Sequence, residues 1–375
     1  MWSPTPSIEA AQAVIYLAQN WNVDPDLEKL LRTLSASKSP EVRFQIAAGL
    51  GSLYTRSPEL FWEIADSMLS NEKATGVLEG LTRTIGQPFI AQREPDAVVK
   101  RLAQIVKRGL PKKRRSDVLQ VLVDSVSQLH VYFNNDAADL VLRGFEKSPL
   151  RYPQPLHSMA WSASFYLTYK IESSDAPARE VRLRARQMEL RVLSAIDRGF
   201  HELEEQAQGQ SVRKRTETVN QLLLAVDRLA LRLHILAKEL AQVKLPEEQA
   251  LSVFLRESSP LWDALVSAGT SYRRPMAPST AHQLMESFNL LLPFDPPRIL
   301  SLVARLITGR TFGYHFDELA IGEFVKFAEK LLADHKETLR DPANAIHFGE
   351  VLDVFVNAGW PAATQIVTRL DAAVR

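Results

Sequence analysis

The residues best suited to chemistry crowd into one short loop, Thr308-Gly309-Arg310-Thr311-Phe312-Gly313-Tyr314-His315-Phe316-Asp317-Glu318. Arg310 could hold an anion and His315 could carry a proton, with Tyr314 and Asp317 beside them. The same string also reads as an ordered connector, plugged into the fold by Phe312, Tyr314 and Phe316. A second stretch, Lys107-Arg108-Gly109-Leu110-Pro111-Lys112-Lys113-Arg114-Arg115, holds six cations and no acid. It is either a polyanion contact, nucleic-acid phosphates being the obvious ligand, or a solvated loop. No aromatic residue interleaves its cations, so base stacking is not expected there.

Elsewhere the chemistry is thin. The chain has no GxxxxGK[ST] loop, GxSxG elbow, HExxH helix or strand-borne GxGxxG. The eight histidines are scattered, and His201 beside Glu204 and Glu205 reads as a solvated helix end rather than a metal cluster. The absence of cysteine excludes a disulfide framework, a thiolate zinc site and a cysteine nucleophile. The expectation is a non-enzymatic chain with no catalytic, cofactor-binding or metal residues.

Whatever positions these residues is built from 375 residues, 46% of them apolar and 24% charged, enough for a sizeable core. No apolar run approaches the roughly 18 residues that would span a membrane, and the start MWSPTPSIEAAQ lacks a basic n-region. Cytoplasmic placement without a membrane partner is expected. The net charge of +1 hides an asymmetry. Residues 1–92 carry 7 basic and 10 acidic side chains, residues 93–240 carry 25 and 18, and residues 241–375 carry 13 and 16.

The positioning elements announce themselves through proline. Ser39-Pro40-Glu41 and Ser57-Pro58-Glu59 each head an apolar run. The serine can accept an early backbone N–H, proline fits the first helical position, and glutamate complements the helix dipole. Val42, Ile46, Leu50 and Leu53 then share one helical face, as do Leu60, Phe61, Ile64, Ala65, Met68 and Leu69. The device recurs at Asp24-Pro25, Glu94-Pro95, Leu245-Pro246, Asp295-Pro296 and Asp341-Pro342. First helices of successive pairs are expected near residues 7, 40, 73, 115 and 155, a period of about 33 to 42 that indicates a helical solenoid. Gly49-Leu50-Gly51 inside a helix implies close helix packing.

Pro40, Val42, Arg43, Ala47, Leu50, Gly51 and Leu53 resemble the first helix of a HEAT repeat. That resemblance implies an armadillo-like superhelix and a binding scaffold. The expected fold is therefore all-α, a HEAT-like helical-repeat solenoid. Its segments are N-terminal repeats over 1–175, a long helical hairpin over 176–243 and C-terminal repeats over 244–375. The hairpin follows from Val219, Leu222, Val226, Leu229, Leu233, Leu236 and Leu240, which alternate steps of three and four as in a coiled-coil seam. It either forms core within the chain or offers a surface at 178–242 for self-association.

A second resemblance covers GYHFDELAIGEFVKFAEKLLADHKETLRD and VLDVFVNAGWPAATQIVTRLDAAVR. These look like the C-terminal helices of large bacterial ATP-binding proteins, some of them defence-type. The resemblance implies a sensing or assembly role within an NTPase system. No ATPase activity carries over, because the nucleotide-binding motifs are missing. A protein partner is the leading expectation and nucleic acid, through the basic middle, the alternative. Trp62, which follows a filled core stripe, and Trp161 with Tyr169, read as one helix face, are the expected interface anchors. Trp360, in Gly359-Trp360-Pro361, reads as a plug for the last hairpin.

Overall fold

A computed structural model describes residues 5–108, 115–205, 212–242, 247–270, 276–309, 311 and 313–374. Every regular element among these residues is helical. The chain divides into two compact units, Met1–Gly144 and Phe145–Arg375.

Unit 1 contains α1 (Pro6–Asn20), α2 (Pro25–Ser35), α3 (Pro40–Gly49), α4 (Gly51–Tyr54), α5 (Pro58–Asn71), α6 (Thr75–Ile85), α7 (Pro88–Arg93), α8 (Pro95–Lys107), α9 (Arg115–Val131) and most of α10 (Asp136–Glu146). Its helices form two layers, as in a helical solenoid. One runs α1, α3, α6, α9, and the other α2, α5, α8, each helix packing on the next. The first layer begins at residues 6, 40, 75 and 115, close to the starts expected from the proline signals.

Side-chain caps set the start at residue 40 and three starts elsewhere, whereas Ser57, expected to act in the same way, makes no such bond. Asp24, Ser39, Asp295 and Asp341 each accept a backbone N–H from the first turn of the helix that follows. Pro246 lies outside the described residues. Gly49 and Gly51 allow the close approach expected of them. A Cβ on Gly49 would lie 2.5 Å from Ile15 Cγ2, and one on Gly51 2.3 Å from Gln87 Oε1.

Unit 2 contains α11 (Pro153–Ser164), α12 (Ala176–Glu205), α13 (Val212–Leu240), α14 (Glu247–Glu257), α15 (Ser259–Thr270), α16 (Pro278–Leu291), α17 (Pro296–Ile307), α18 (Glu318–Asp334), α19 (Pro342–Asn357) and α20 (Pro361–Val374). Again there are two layers, α11–α13–α16–α18–α20 and α12–α15–α17–α19. The long hairpin is α12 and α13, of 30 and 29 residues. Leu222, Val226, Leu229, Leu233, Leu236 and Leu240 are all buried. Their helix packs mainly on α11 and α16 and more lightly on α12, so the heptad-like seam is core of unit 2 and its principal partners are not the other arm of the hairpin.

Candidate functional site on the C-terminal unit

The basic segment separates into unlike residues. Lys107 is exposed in the last turn of α8. Arg108 instead donates to the carbonyl oxygens of Leu69, Ser70 (3.4 Å) and Glu72 (2.8 Å). It thereby covers the C-terminal carbonyls of α5, where a cation is favoured by the helix dipole. Lys112, Lys113 and Arg114 lie outside the described residues, as does the side chain of Arg115.

Trp62 is fastened within unit 1. Its indole N–H donates to both carboxylate oxygens of Glu94 at 3.2 Å. Arg101, bidentate on Asp66 at 2.7 and 2.8 Å, lies 3.8 Å from the Trp62 ring centroid. The Tyr54 hydroxyl donates to Glu94 at 2.6 Å, and burial, with the Glu94 carboxylate second, pushes its pKa up to about 12. Both the edge and one face of Trp62 are therefore engaged by its own unit.

In the 308–318 loop, Arg310 and Phe312 lie outside the described residues. Tyr314 is buried, with its hydroxyl 3.3 Å from Nδ1 of His282, and burial raises its pKa strongly. The His315 carbonyl accepts the Trp360 indole N–H at 2.8 Å. Asp317 accepts the Leu319 N–H at 2.9 Å and so caps α18. Tyr314, His315 and Asp317 thus each serve the connector. Trp360 was expected to plug the last hairpin; its indole N–H is bonded to this loop instead.

Tyr314 leads to a cluster that the sequence reading missed. Glu286 Oε2 lies 3.7 Å from His234 Nε2 and 3.8 Å from His282 Nε2. His282 and Glu286 stand four apart on one helix, which was the available signal. Burial lowers the pKa of His234 against the pull of Glu286. Among the described residues, no group of three His, Asp or Glu side chains could hold a metal ion.

Trp161 and Tyr169 do not share a helix. α11 ends at Ser164, and the chain continues in turns, with Tyr166 N–H bonded to Ala163 O at 2.9 Å and Tyr169 N–H to Tyr166 O at 3.2 Å. Further along, Arg182 donates to the carbonyls of Tyr169 and Lys170, each at 3.0 Å, and Lys170 turns to φ 43. The partner that Trp161 does have is Phe165, edge-on at 5.4 Å.

Opposite these rings stand two arginines of α13. Arg228 lies 5.6 Å from the Trp161 centroid and Arg232 4.7 Å from that of Phe165. Trp161 on α11 and Phe165 at its C-cap therefore meet a pair spaced i, i+4 on α13. Phe165 remains 49% exposed and Trp161 half-buried. His157, one turn before Trp161, has its pKa lowered by burial and then by Arg228. The face continues to α16, where Ser279 and Thr280 donate to Asp227 at 3.0 and 2.9 Å. Chemically it offers flat apolar rings with guanidinium groups over them, each such contact worth about 0.5–1 kcal/mol when exposed.

No helix among the described residues is long and apolar enough to cross a membrane. No protein-family model matches the chain, and no curated protein matches it significantly. Among solved structures it is similar to a circular tandem repeat protein with novel repeat topology and enhanced subunit contact surfaces. The two are 13% identical with a TM-score of 0.44, over 98% of this chain and 88% of the other. It is also similar to a homology model of the full-length AP-3 complex in an intermediate open conformation, at 10% identity and a TM-score of 0.27, over 98% of this chain and 81% of that one.

Proposed function

We propose that this helical-repeat chain is a non-enzymatic, HEAT-type recognition module that docks a protein partner on the α11–α13 face of unit 2. The observation that carries the reading is the paired ladder of Trp161 and Phe165 against Arg228 and Arg232. Trp and Arg are the residues most enriched among interface anchors, and rigid aromatics with overlying guanidiniums lose little conformational entropy on docking. A sensing or assembly role beside a nucleotide-hydrolysing partner is the finer reading. It rests on the sequence resemblance over 313–341 and 351–375.

Affinity capture from the native cell, in the presence of nuclease, tests this. Wild type is compared with a Phe165→Ser, Arg228→Ser double variant whose helix content and melting temperature are first shown to be retained. The expected result is a partner held by wild type and lost at least about tenfold by the variant, one to two anchors' worth of binding. Equal recovery of the same proteins by both chains overturns the assignment.

A further inference from the structure

A separate cleft opens on the other layer of unit 2, between the start of α12, the end of α13, α14 and the turn at 171–174. Its volume is about 1070 Å³, at the upper end of small-molecule sites, which hold roughly 300–1,000 Å³. The wall is apolar, formed by Ile171, Leu183, Leu240 and Val253.

At the back sits a fixed cationic group. Arg182, whose side chain is 2% exposed, donates to Glu257 at 2.9 and 3.1 Å as well as to the two carbonyls already described. Arg186 also donates to Glu257. Burial would raise the Glu257 pKa, but the hydrogen bonds from Arg182 and Arg186 outweigh it and hold the carboxyl below its ordinary range. Two guanidiniums thus share one carboxylate, and the trio keeps a net charge of +1. At the rim, Arg179 and Arg256 are exposed. Neither side chain has a hydrogen-bond or ion-pair partner among the described residues. The acids there are Glu172, also exposed, and Glu180, which lies 3.8 Å from Arg184.

We infer that this cleft binds an acidic peptide segment bearing alternate apolar side chains. Charge and shape together favour that occupant. A small anion would meet the arginines and leave Leu183 and Val253 in water. A purely apolar helix would cover the wall and strand the rim guanidiniums. A chain with apolar side chains on one edge and carboxylates on the other satisfies both. A basic segment meets like charge at the back, where Arg182 and Arg186 outnumber Glu257, while the rim balances Arg179 and Arg256 against Glu172 and Glu180. The inference deepens the recognition reading by naming a partner chemistry. It concerns a different surface, so a failed peptide assay leaves the capture result on the α11–α13 face standing, and the reverse also holds.

The probe is a short fluorescein-labelled peptide alternating glutamate and leucine, titrated with the full chain by fluorescence polarisation. Its controls are the lysine-for-glutamate peptide and an all-glutamate peptide. Wild type should prefer the first by about tenfold or more over both controls, the discrimination expected from one or two charge contacts and an apolar wall. Arg179→Glu and Arg256→Glu, both exposed, should each weaken binding about tenfold with unchanged melting temperature. Leu183→Asp should weaken it similarly, while Arg83→Glu in unit 1 should leave it unchanged. Equal affinity for the lysine peptide, displacement by a single-stranded oligonucleotide, or indifference to the two rim reversals overturns the inference, as does no binding at about millimolar peptide.

Discussion

The two units solve one packing problem with different reach. In unit 1 the joints between helices are charged, and their partners lie a repeat apart. Arg32 meets Glu63, 31 positions on. Arg43 grips Glu72 at 2.7 and 2.8 Å across 29 positions, and Arg101 grips Asp66 across 35. Unit 2 has such joints too, as where Arg298 and Arg305 both reach Asp263. Yet its longest helix also bonds across 75 positions, from Arg182 to Glu257. It holds Glu189 fully buried, with neither carboxylate oxygen hydrogen-bonded among the described residues. Where helices are only as long as a repeat requires, charged side chains are occupied in closing it. Where a helix runs longer, its charged groups reach past the next repeat, as Arg182 does to Glu257, or stay buried without a hydrogen-bond partner among the described residues, as Glu189 does.

The sharpest way to break the comparison is at the unit 1 joint. Glu72, whose side chain is 1% exposed, accepts Arg43 and the backbone N–H groups of Lys73 and Ala74 at 2.9 and 2.7 Å. Glu72→Ala should cost about 3–5 kcal/mol in urea denaturation, because it strands a largely buried guanidinium. Burial alone would raise the Glu72 pKa, but hydrogen bonds from Arg43 and the backbone lower it below the ordinary range. The folded state therefore gives up this proton more readily than the unfolded chain. Its stabilisation is present above the ordinary glutamate value and lost as the pH falls through the lower folded one.

Glu189 has the opposite sign. Burial pushes its carboxyl pKa well up, so the folded chain keeps a proton that the unfolded chain releases. Stability is then highest below the ordinary glutamate range and declines as the pH rises above it. Glu189→Met should stabilise by about 1–3 kcal/mol near neutral pH by removing an unsatisfied buried polar group. It should also flatten that decline. Denaturation midpoints of Glu72→Ala and Glu189→Met measured from acid to neutral pH would show the two slopes in opposition, and parallel slopes would break the contrast.

The smallest effect separates neighbours. Arg108→Ala should cost about 1–2 kcal/mol through the uncovered α5 carbonyls. Lys107→Ala should stay within about 0.5 kcal/mol. Equal losses in thermal melts would return Arg108 to the solvated loop.

Much of the architecture was legible because a proline with an acceptor before it is local chemistry, readable without knowing the fold. The buried stripe of α13 was legible for the same reason. Its partners were not, since heptad spacing reports that a face is buried and leaves open whether α12, α11 or α16 covers it. The site was legible only in fragments. Trp161, expected as an interface anchor, is half-buried, but Tyr169 was tied to it by counting through a helix that ends at Ser164. The Arg228 and Arg232 contacts span more than sixty positions, and no periodicity encodes them.

The span from Arg182 to Glu257 also sets a schedule. A ribosome adding roughly 5–20 residues per second leaves this guanidinium without its carboxylate for roughly 4–15 s. Through that interval the nascent α12 has α11 to lean on, but α14 and α15 have not been made. Unit 1 closes each joint after about half that length of chain. Chaperone capture during synthesis should therefore concentrate on nascent chains that end between the appearance of α12 and that of α15, where an apolar stripe and an unmatched cation wait together.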